Sequence, residues 1–311
     1  VVENFSGRVI SNLGLNYESL RSVNPSIVMV RMPTYGTSGP YSNYPGNGGT
    51  TEPVSGMSFL MGYHDGPPIN SGIMHTDAYS GVLACGATIT ALRERLISGV
   101  GQEVDISQQE VSMTLLAEYI MEGSISGESP GRQGNSNRDY APQGCYLSKD
   151  SYWIAISVKT DRQWKSFCDS LMLDDLITNE DYSTKDFRKM NSVRLDQEIS
   201  RNMVNWVASE VVEKLQAELV PCELISTLLE AAENDDFHQM ELFEKIFHVK
   251  SGDFYYPVPP WDFENNSRKP QGPAPTLGEH SDEIFTSLNG WSEGEIARFK
   301  SLGLTGTDPL I

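Results

Sequence analysis

Cysteine, positive charge and long apolar runs are all scarce in this 311-residue chain, and each shortage removes a class of function. The four cysteines, Cys85, Cys145, Cys168 and Cys222, lie far apart and form no C-x-x-C pair, which argues against a zinc ribbon or a thioredoxin-type redox centre. Cys85 and Cys168 fall in apolar helical patterns and read as small buried hydrophobes. Lys and Arg total 23 against 42 Asp and Glu, a net charge of −19, and no basic cluster occurs. A general nucleic-acid binder needs a basic face, and an anionic membrane surface would repel such a chain. A solvated acidic surface accounts for the charge. With no apolar run of about 18 residues and no signal peptide, the expected location is the cytoplasm, with no membrane partner. There is no G-x-S-x-G, Walker A loop or H-E-x-x-H, and nothing nominates a serine for a Ser-His-Asp triad. Gly46-Asn47-Gly48-Gly49 does not match G-x-G-x-x-G and follows a long loop rather than a strand, against a dinucleotide fingerprint. His64, His75, His238, His248 and His280 do not pair at ligand spacing, so no metal is expected.

What is present reads as an α/β protein. The length and the 39% hydrophobic content support a large core in one or two domains. Val1-Val2-Glu3-Asn4-Phe5 reads as the end of a buried strand running into a loop, so further residues are expected before Val1. Residues 17–23 form a short helix stopped by Asn24-Pro25, and the apolar run 26–32 is a strand covered on both faces. Residues 33–76 are a long segment rich in Gly and Pro, with a short apolar helix over 52–62 around Val54, Met57, Phe59 and Leu60. A helix over 78–96 carries Gly81, Ala84, Gly86, Ala87 and Ala91, small enough to approach a sheet or another helix closely. A turn plus strand over 101–107 and a second long helix over 108–121 follow; helix, strand and helix in turn favour an α/β layer architecture. Residues 123–143 read as a polar linker. A hairpin over 144–147 and 152–158 comes next, then a helix capped at Thr160-Asp161 with Trp164, Phe167 and Leu171 inside it. Helices over 194–209 and 211–218, an extended Pro-rich stretch over 250–276 in which Tyr255, Tyr256 and Trp261 tack the chain across a surface, and a helical pair over 281–288 and 292–301 complete the pattern. The expected organisation is a large α/β domain over 1–122, a linker over 123–140, a small α+β domain over 141–232 and a return segment over 233–311.

One residue carries chemistry. Asp77, in His75-Thr76-Asp77-Ala78-Tyr79, stands where a Gly- and Pro-rich loop gives way to a helix. A carboxylate there faces the positive end of the helix dipole and unpaired amides, which keep it ionised and suited to attack an activated acyl group. Its plainer role is that of an N-cap, for which Asp is favoured. His75 is not its partner, since residues two apart at a helix start do not face each other.

The order of motifs resembles that of the class III CoA-transferases, the CaiB/BaiF or formyl-CoA/carnitine-CoA transferase family. Glu3-Asn4-Phe5 with Leu13-Gly14-Leu15 is similar to the family's E-N-F…L-G-L, and Gly36-Thr37-Ser38-Gly39-Pro40-Tyr41 to its G-x-x-G-P-Y. Ser55-Gly56, Gly62, Gly66-Pro67-Pro68, Asp77 with Gly81, Ala91-Leu92, Arg95 and Gly101-Gln102-Glu103-Val104-Asp105 follow in the expected order. Ala141-Pro142-Gln143-Gly144, Asp161 with Trp164, and Leu277-Gly278-Glu279-His280 extend the match over nearly the whole chain. The resemblance implies an incomplete Rossmann-like large domain plus a smaller α+β domain, an interlocked homodimer, and acyl-CoA and a carboxylic acid as substrates. It implies that Asp77 is the catalytic nucleophile, passing through an aspartyl anhydride and an aspartyl-CoA thioester. Asn4 and Phe5 become CoA-contacting residues, and Gln143 a lid residue in a loop near the active site. The family's long segment before E-N-F is absent from this sequence, so that either the chain is a fragment or another chain supplies those strands. Ser6-Gly7-Arg8 replaces the common R-P-G, so that Arg8 is either a different phosphate contact or none, and Asn12 stands where many relatives carry a basic residue. Tyr140-Ala141-Pro142-Gln143-Gly144 replaces the open glycine lid of formyl-CoA transferases. That points away from oxalate and formate, toward larger acids such as benzylsuccinate or other dicarboxylates. Two alternatives stay open: an α-methylacyl-CoA racemase-like enzyme, whose upstream His would fall at Gly46-Asn47-Gly48, and a non-catalytic binding subunit.

Overall fold

As expected, the opening residues form a strand, β1 (Val2–Glu3), but with Val1 and Val2 exposed and Glu3 alone covered it is not a buried one. In the computed structural model, which describes residues 1–270 and 272–307, it pairs in parallel with β2 (Met29–Arg31), and β2 pairs in parallel with β3 (Glu103–Asp105). The order β1-β2-β3 places Glu3, Arg31 and Asp105 side by side at one end. Between β1 and β2 come α1 (Val9–Asn12) and α2 (Tyr17–Val23), the latter capped by the Asn16 side chain on the Ser19 amide at 2.9 Å. The crossover from β2 to β3 contains α3 (Gly48–Ser55), α4 (Met57–Leu60) and the 24-residue α5 (His75–Ser98). Ala84 and Ala91, one above the other on α5, pack on Val28 and Val30 of the central strand with Leu92, Val104 and Ile106 around them. Small side chains thus bring helix and sheet together, as expected. Gly101 is required where the chain re-enters the sheet, because a Cβ there would lie 1.9 Å from the Ile27 carbonyl oxygen.

Several expectations fail for local reasons. Cys85 is exposed rather than buried, because the sheet-facing stripe of α5 runs through Ala84 and Ala91 and turns Cys85 outward with Val82 and Ile89. The helix expected over 52–62 is broken at Gly56, whose φ of 91° ends α3, and its buried face is mostly polar: Thr51, Glu52, Ser55 and Ser58 are covered along with Met57, while Val54 and Phe59 are exposed. The helix expected over 108–121 is two, α6 (Gln108–Thr114) and α7 (Ala117–Ser126). The hydroxyls of Ser112 and Thr114 donate to the carbonyls of Gln108 (3.2 Å) and Val111 (2.7 Å), a local competition that loosens the turn at Leu115-Leu116.

A second sheet of antiparallel strands follows, β4 (Gln143–Leu147), β5 (Trp153–Ser157) and β6 (Cys222–Leu224), in that order. One face, with Tyr146, Ile154 and Ile156, packs on α8 (Asp161–Ser170), α9 (Asp174–Ile177), α10 (Lys185–Met190), α11 (Ser192–Met203) and α12 (Ala208–Ala217) through Phe167, Leu195, Ile199 and Leu215. Thr160 and Gln163 cap α8 reciprocally. Arg188 lies fully buried among them, donating to the carbonyls of Ala141 and Tyr182 (3.1 Å each) and to Asp161 (2.8 Å), with its guanidinium over the Trp164 ring. These elements form the first compact unit, Val1–Leu224.

The second unit begins at Ile225. It holds α13 (Leu228–Ala232), α14 (Asp235–Gln239), the hairpin β7 (Phe243–His248) and β8 (Gly252–Pro257), and the helices α15 (Ser281–Ser287) and α16 (Glu293–Ser301). The hairpin corrects the purely extended reading of 250–276: the His248 imidazole Nδ1 accepts from the amides of Lys250 and Ser251 (3.2 Å each) and closes the turn. Tyr255 packs on the His238 ring, whereas Trp261 is exposed; Gln271, in the same stretch, lies outside the described residues. The terminal pair is joined through Trp291, whose ring stacks on Phe285 and meets Phe299 at a tilt. Among the described residues no helix is long and apolar enough to cross a membrane, and no group of three or more His, Cys, Asp or Glu is disposed to hold a metal.

Candidate active site

In an α/β crossover the helix runs antiparallel to its strands, so the start of α5 lies at the carboxyl end of the parallel sheet, the edge at which such sheets bind ligands. That edge is organised by an ion cluster the sequence does not reveal. Glu3 and Arg31, both buried, meet at 2.6 Å; Arg31 also reaches Glu103 (3.2 Å) and the Gly7 carbonyl (3.1 Å). Burial acts to lower the Arg31 pKa, but the hydrogen bonds to Glu3 and Glu103 outweigh it and hold it above its ordinary value. The other oxygen of Glu3 accepts the Phe5 amide at 2.7 Å. The cluster thereby fixes the loop after β1, on which Asn4, Phe5 and Arg8 are exposed; Arg8, just before α1, carries no ion pair among the described residues.

Asp77 is exposed and lies in the first turn of α5 rather than before it. The helix starts three residues earlier than the sequence suggests. Met74, with φ of 49°, makes the turn without a capping side chain, and the Asp77 amide donates to the Met74 carbonyl at 3.1 Å. Asp77 is therefore not the N-cap; its carboxylate has no hydrogen-bond or ion-pair partner among the described residues. What faces it is Gly48, the first residue of α3: a Cβ at that position would lie 2.5 Å from Asp77 Oδ2 and 2.6 Å from Met74 Cβ. Two helix starts therefore meet at this carboxylate. The loop between β2 and α3 joins the exposed loop to it, since Gly7 packs against the Ser42 carbonyl at one end and Gly48 against Asp77 at the other.

Gln143 opens β4. Its side-chain oxygen accepts from the Tyr140 hydroxyl (2.8 Å) and its nitrogen donates to the Asn135 carbonyl (3.2 Å). It lines two cavities, of about 530 and 420 Å³, which share Asn135, Gly144 and Cys145; the second is also lined by Tyr63, His64 and Asp196, and neither lining includes Asp77. The loop over these cavities is stapled by Arg132, whose guanidinium donates to the carbonyls of Tyr63 (3.1 Å) and Gly66 (2.8 Å). Burial pushes the thiols of Cys168 and Cys222 up, to about 12 and about 11, and raises that of Cys145, so these three are poor thiolate nucleophiles.

In the wall of the second cavity the buried Tyr146 hydroxyl donates to Asp196 at 2.6 Å. Burial raises the Asp196 carboxyl above its ordinary value of 3.8, opposed by the Tyr146 hydrogen bond and the charge of Lys189. A raised carboxyl favours the folded state fully below its unfolded value and loses that contribution as pH rises through its folded value. Asp196→Asn keeps an acceptor for Tyr146 and removes the titration. Melting curves between about pH 4 and 7 are expected to show the variant gaining stability relative to the wild type as pH rises; a constant difference would contradict the assignment.

Taken together, the sheet edge, the glycine-faced carboxylate and the exposed loop beside them belong to an α/β protein with an open carboxylate at the carboxyl end of its parallel sheet. The chain belongs to CoA-transferase family III, whose model it matches over residues 1–281. It is 28% identical to the succinyl-CoA–D-citramalate CoA-transferase of Chloroflexus aurantiacus, over 97% of this chain and 75% of that protein. It is 27% identical to the succinate–glutarate CoA-transferase of Agrobacterium fabrum, over 93% and 72% respectively. A CaiB/BaiF family protein from Brucella suis has the same fold, with a TM-score of 0.84 at 25% identity over 93% of this chain and 75% of that one. The protein is a CoA-transferase-type transferase acting on CoA thioesters.

Proposed function

We propose that the protein exchanges CoA between a dicarboxylic acyl-CoA and a free dicarboxylic acid, with Asp77 as the covalent carrier. The observation that carries this reading is the exposed, unpartnered Asp77 carboxylate against the bare Cα of Gly48. Asp77 attacks the thioester carbonyl; the C–S bond breaks, CoA leaves as thiolate, and a mixed anhydride remains. The thiolate attacks the Asp77 carbonyl carbon, releasing the donor acid and leaving an aspartyl-CoA thioester. The acceptor carboxylate attacks that thioester and expels the thiolate, which then takes the new acyl group and returns Asp77 as a carboxylate. One thioester replaces another and no net proton moves, so the chemistry asks chiefly that water be kept out and the oxyanions be held. The amides of Gly48 and Gly49 precede the first backbone bond of α3, from Thr50 to Asn47, and are the donors we assign to the oxyanion.

Asn4 and Phe5 hold the CoA moiety in this reading, Arg8 takes a phosphate, and Gln143 belongs to the lid. The division into a large domain over 1–122, a linker over 123–140, a small domain over 141–232 and a return over 233–311 is part of the same proposal. So are a cytoplasmic site of action, a reaction that needs no metal, and an interlocked homodimer. For the homodimer, the exposed Val82, Ile89, Leu96 and Ile97 of α5 supply an apolar face for a second copy. Dicarboxylates are favoured because the two relatives above are named for succinate or succinyl-CoA with citramalate or glutarate. A racemase needs a second acid or base across the substrate from the carboxylate, and the residue facing Asp77 is a glycine. The test is to mix the purified protein with succinyl-CoA and isotope-labelled C4 to C6 dicarboxylic acids and follow CoA thioesters by mass spectrometry. A new labelled acyl-CoA is expected; exchange of the α-proton without transfer of CoA would overturn the reading.

A further inference from the structure

We propose that Glu52, Ser71 and His75 form a positioning unit that sets the Asp77 carboxylate against Gly48; the proposal rests on Asp77 being the acyl carrier. Glu52 is only 1% exposed, a buried carboxylate on a helix only eight residues long, and the mechanism above does not use it. Its Oε2 accepts the Ser71 amide at 2.8 Å and its Oε1 accepts the Ser71 hydroxyl at 2.6 Å. His75 Nδ1 lies 3.1 Å from Oε1. Ser71 donates both its N–H and its O–H to Glu52, so the carboxylate acts here as an acceptor, and His75 Nδ1, which is also 3.1 Å from the Ser71 hydroxyl oxygen, completes the trio as a donor.

These contacts brace a helix start that has no ordinary cap. The turn into α5 is made by Met74 in a left-handed conformation with no capping side chain, so the helix start is held from outside, by α3. Gly48 and Glu52 are four residues apart on α3 and share a face, while His75 and Asp77 share the first turn of α5. The contact between the two helix starts therefore has two adjacent rungs: Glu52 with Ser71 and His75, and Gly48 with Asp77. Asn70 adds a third tie. Pro53 has no N–H to offer the Gly49 carbonyl, and the Asn70 side chain donates to that carbonyl at 3.2 Å. Removing the Glu52 rung frees the α5 start to shift, and a shift of about 1 Å at a reacting group can cost on the order of a hundredfold in rate.

The experiment measures kcat and KM for CoA transfer in Glu52→Met, Ser71→Ala, His75→Leu and His75→Asn, beside Asp77→Asn, with folding checked by thermal melting. Glu52→Met is expected to lower kcat about a hundredfold with KM for the acyl-CoA within about twofold, and Ser71→Ala and His75→Leu to lower it about tenfold. Asn offers an N–H near the place of Nδ1, so His75→Asn is expected to recover kcat to within about threefold of the wild type. Ser71→Ala removes one hydroxyl from a loop and keeps the test decisive if Glu52→Met does not fold. Unchanged kcat in Ser71→Ala and His75→Leu would overturn the proposal. So would a loss in His75→Asn as large as in His75→Leu, which would give the imidazole a chemical role. If Asp77→Asn itself retains transfer, the reading of Asp77 as carrier fails; if it is inactive while the others are unaffected, only the positioning unit fails.

Discussion

Asp77→Asn is expected to abolish CoA transfer, by about 10⁴-fold or more in kcat, while leaving the protein as stable as before. The size follows from removing the only protein group in the proposed mechanism that forms a bond to the acyl carbon. The amide is nearly isosteric but a far poorer nucleophile toward a thioester. The stability half of the prediction is as specific. Asp77 is exposed and partnerless among the described residues, so its replacement strands no buried group, and substitutions of that kind stay within about 0.5 kcal/mol. Melting curves and initial rates measured on one preparation separate the two effects. A melt shifted downward with proportionate activity loss would make Asp77 structural instead.

Gly48→Ala is expected to have the second-largest effect. The added methyl would stand 2.5 Å from Asp77 Oδ2 and 2.6 Å from Met74 Cβ, closer than such carbons approach anything. Met74 cannot give way easily, since its left-handed backbone makes the turn into α5. The carboxylate must swing away or the helix starts must part, and either moves the nucleophile by a sizeable fraction of its reach. A fall in kcat of about a hundredfold is expected, together with a loss of stability of about 1–3 kcal/mol from overpacking. Steady-state kinetics and denaturant melts check both. Wild-type kcat in the alanine variant would mean that the contact between Gly48 and Asp77 has no part in catalysis.

The extent to which this molecule can be read from its sequence follows from the range of the interactions involved. The short helix at Tyr17–Val23, the hairpin of β4 and β5 and the capped helix at Asp161–Ser170 are legible because their signals are local: a stop at Asn24-Pro25, a strand pattern, a capping Thr. The family is legible because many weak motifs occur in order. The start of α5 is not, because it has no capping side chain and the nearest brace is Glu52, twenty-three residues upstream of His75, which holds Ser71 and the His75 ring; no local pattern marks that contact. The Glu3–Arg31–Glu103 cluster escapes notice for the same reason, as strand pairing brings those charges together. Gly48 looks like one glycine in a flexible loop until the carboxylate it faces is located. The apolar residues of α5 mislead in the other direction: helical periodicity marks Cys85 and its neighbours as core, and the sheet covers only the stripe through Ala84 and Ala91.

The most direct measurement is covalent trapping. The protein is mixed with succinyl-CoA in the presence of hydroxylamine, digested, and its peptides are mapped by mass spectrometry. An activated aspartyl group is captured as a hydroxamate, so a modified Asp77 is predicted in the wild type, with none in Asp77→Asn. Modification at a different side chain, or turnover with no modified peptide at all, would contradict the account.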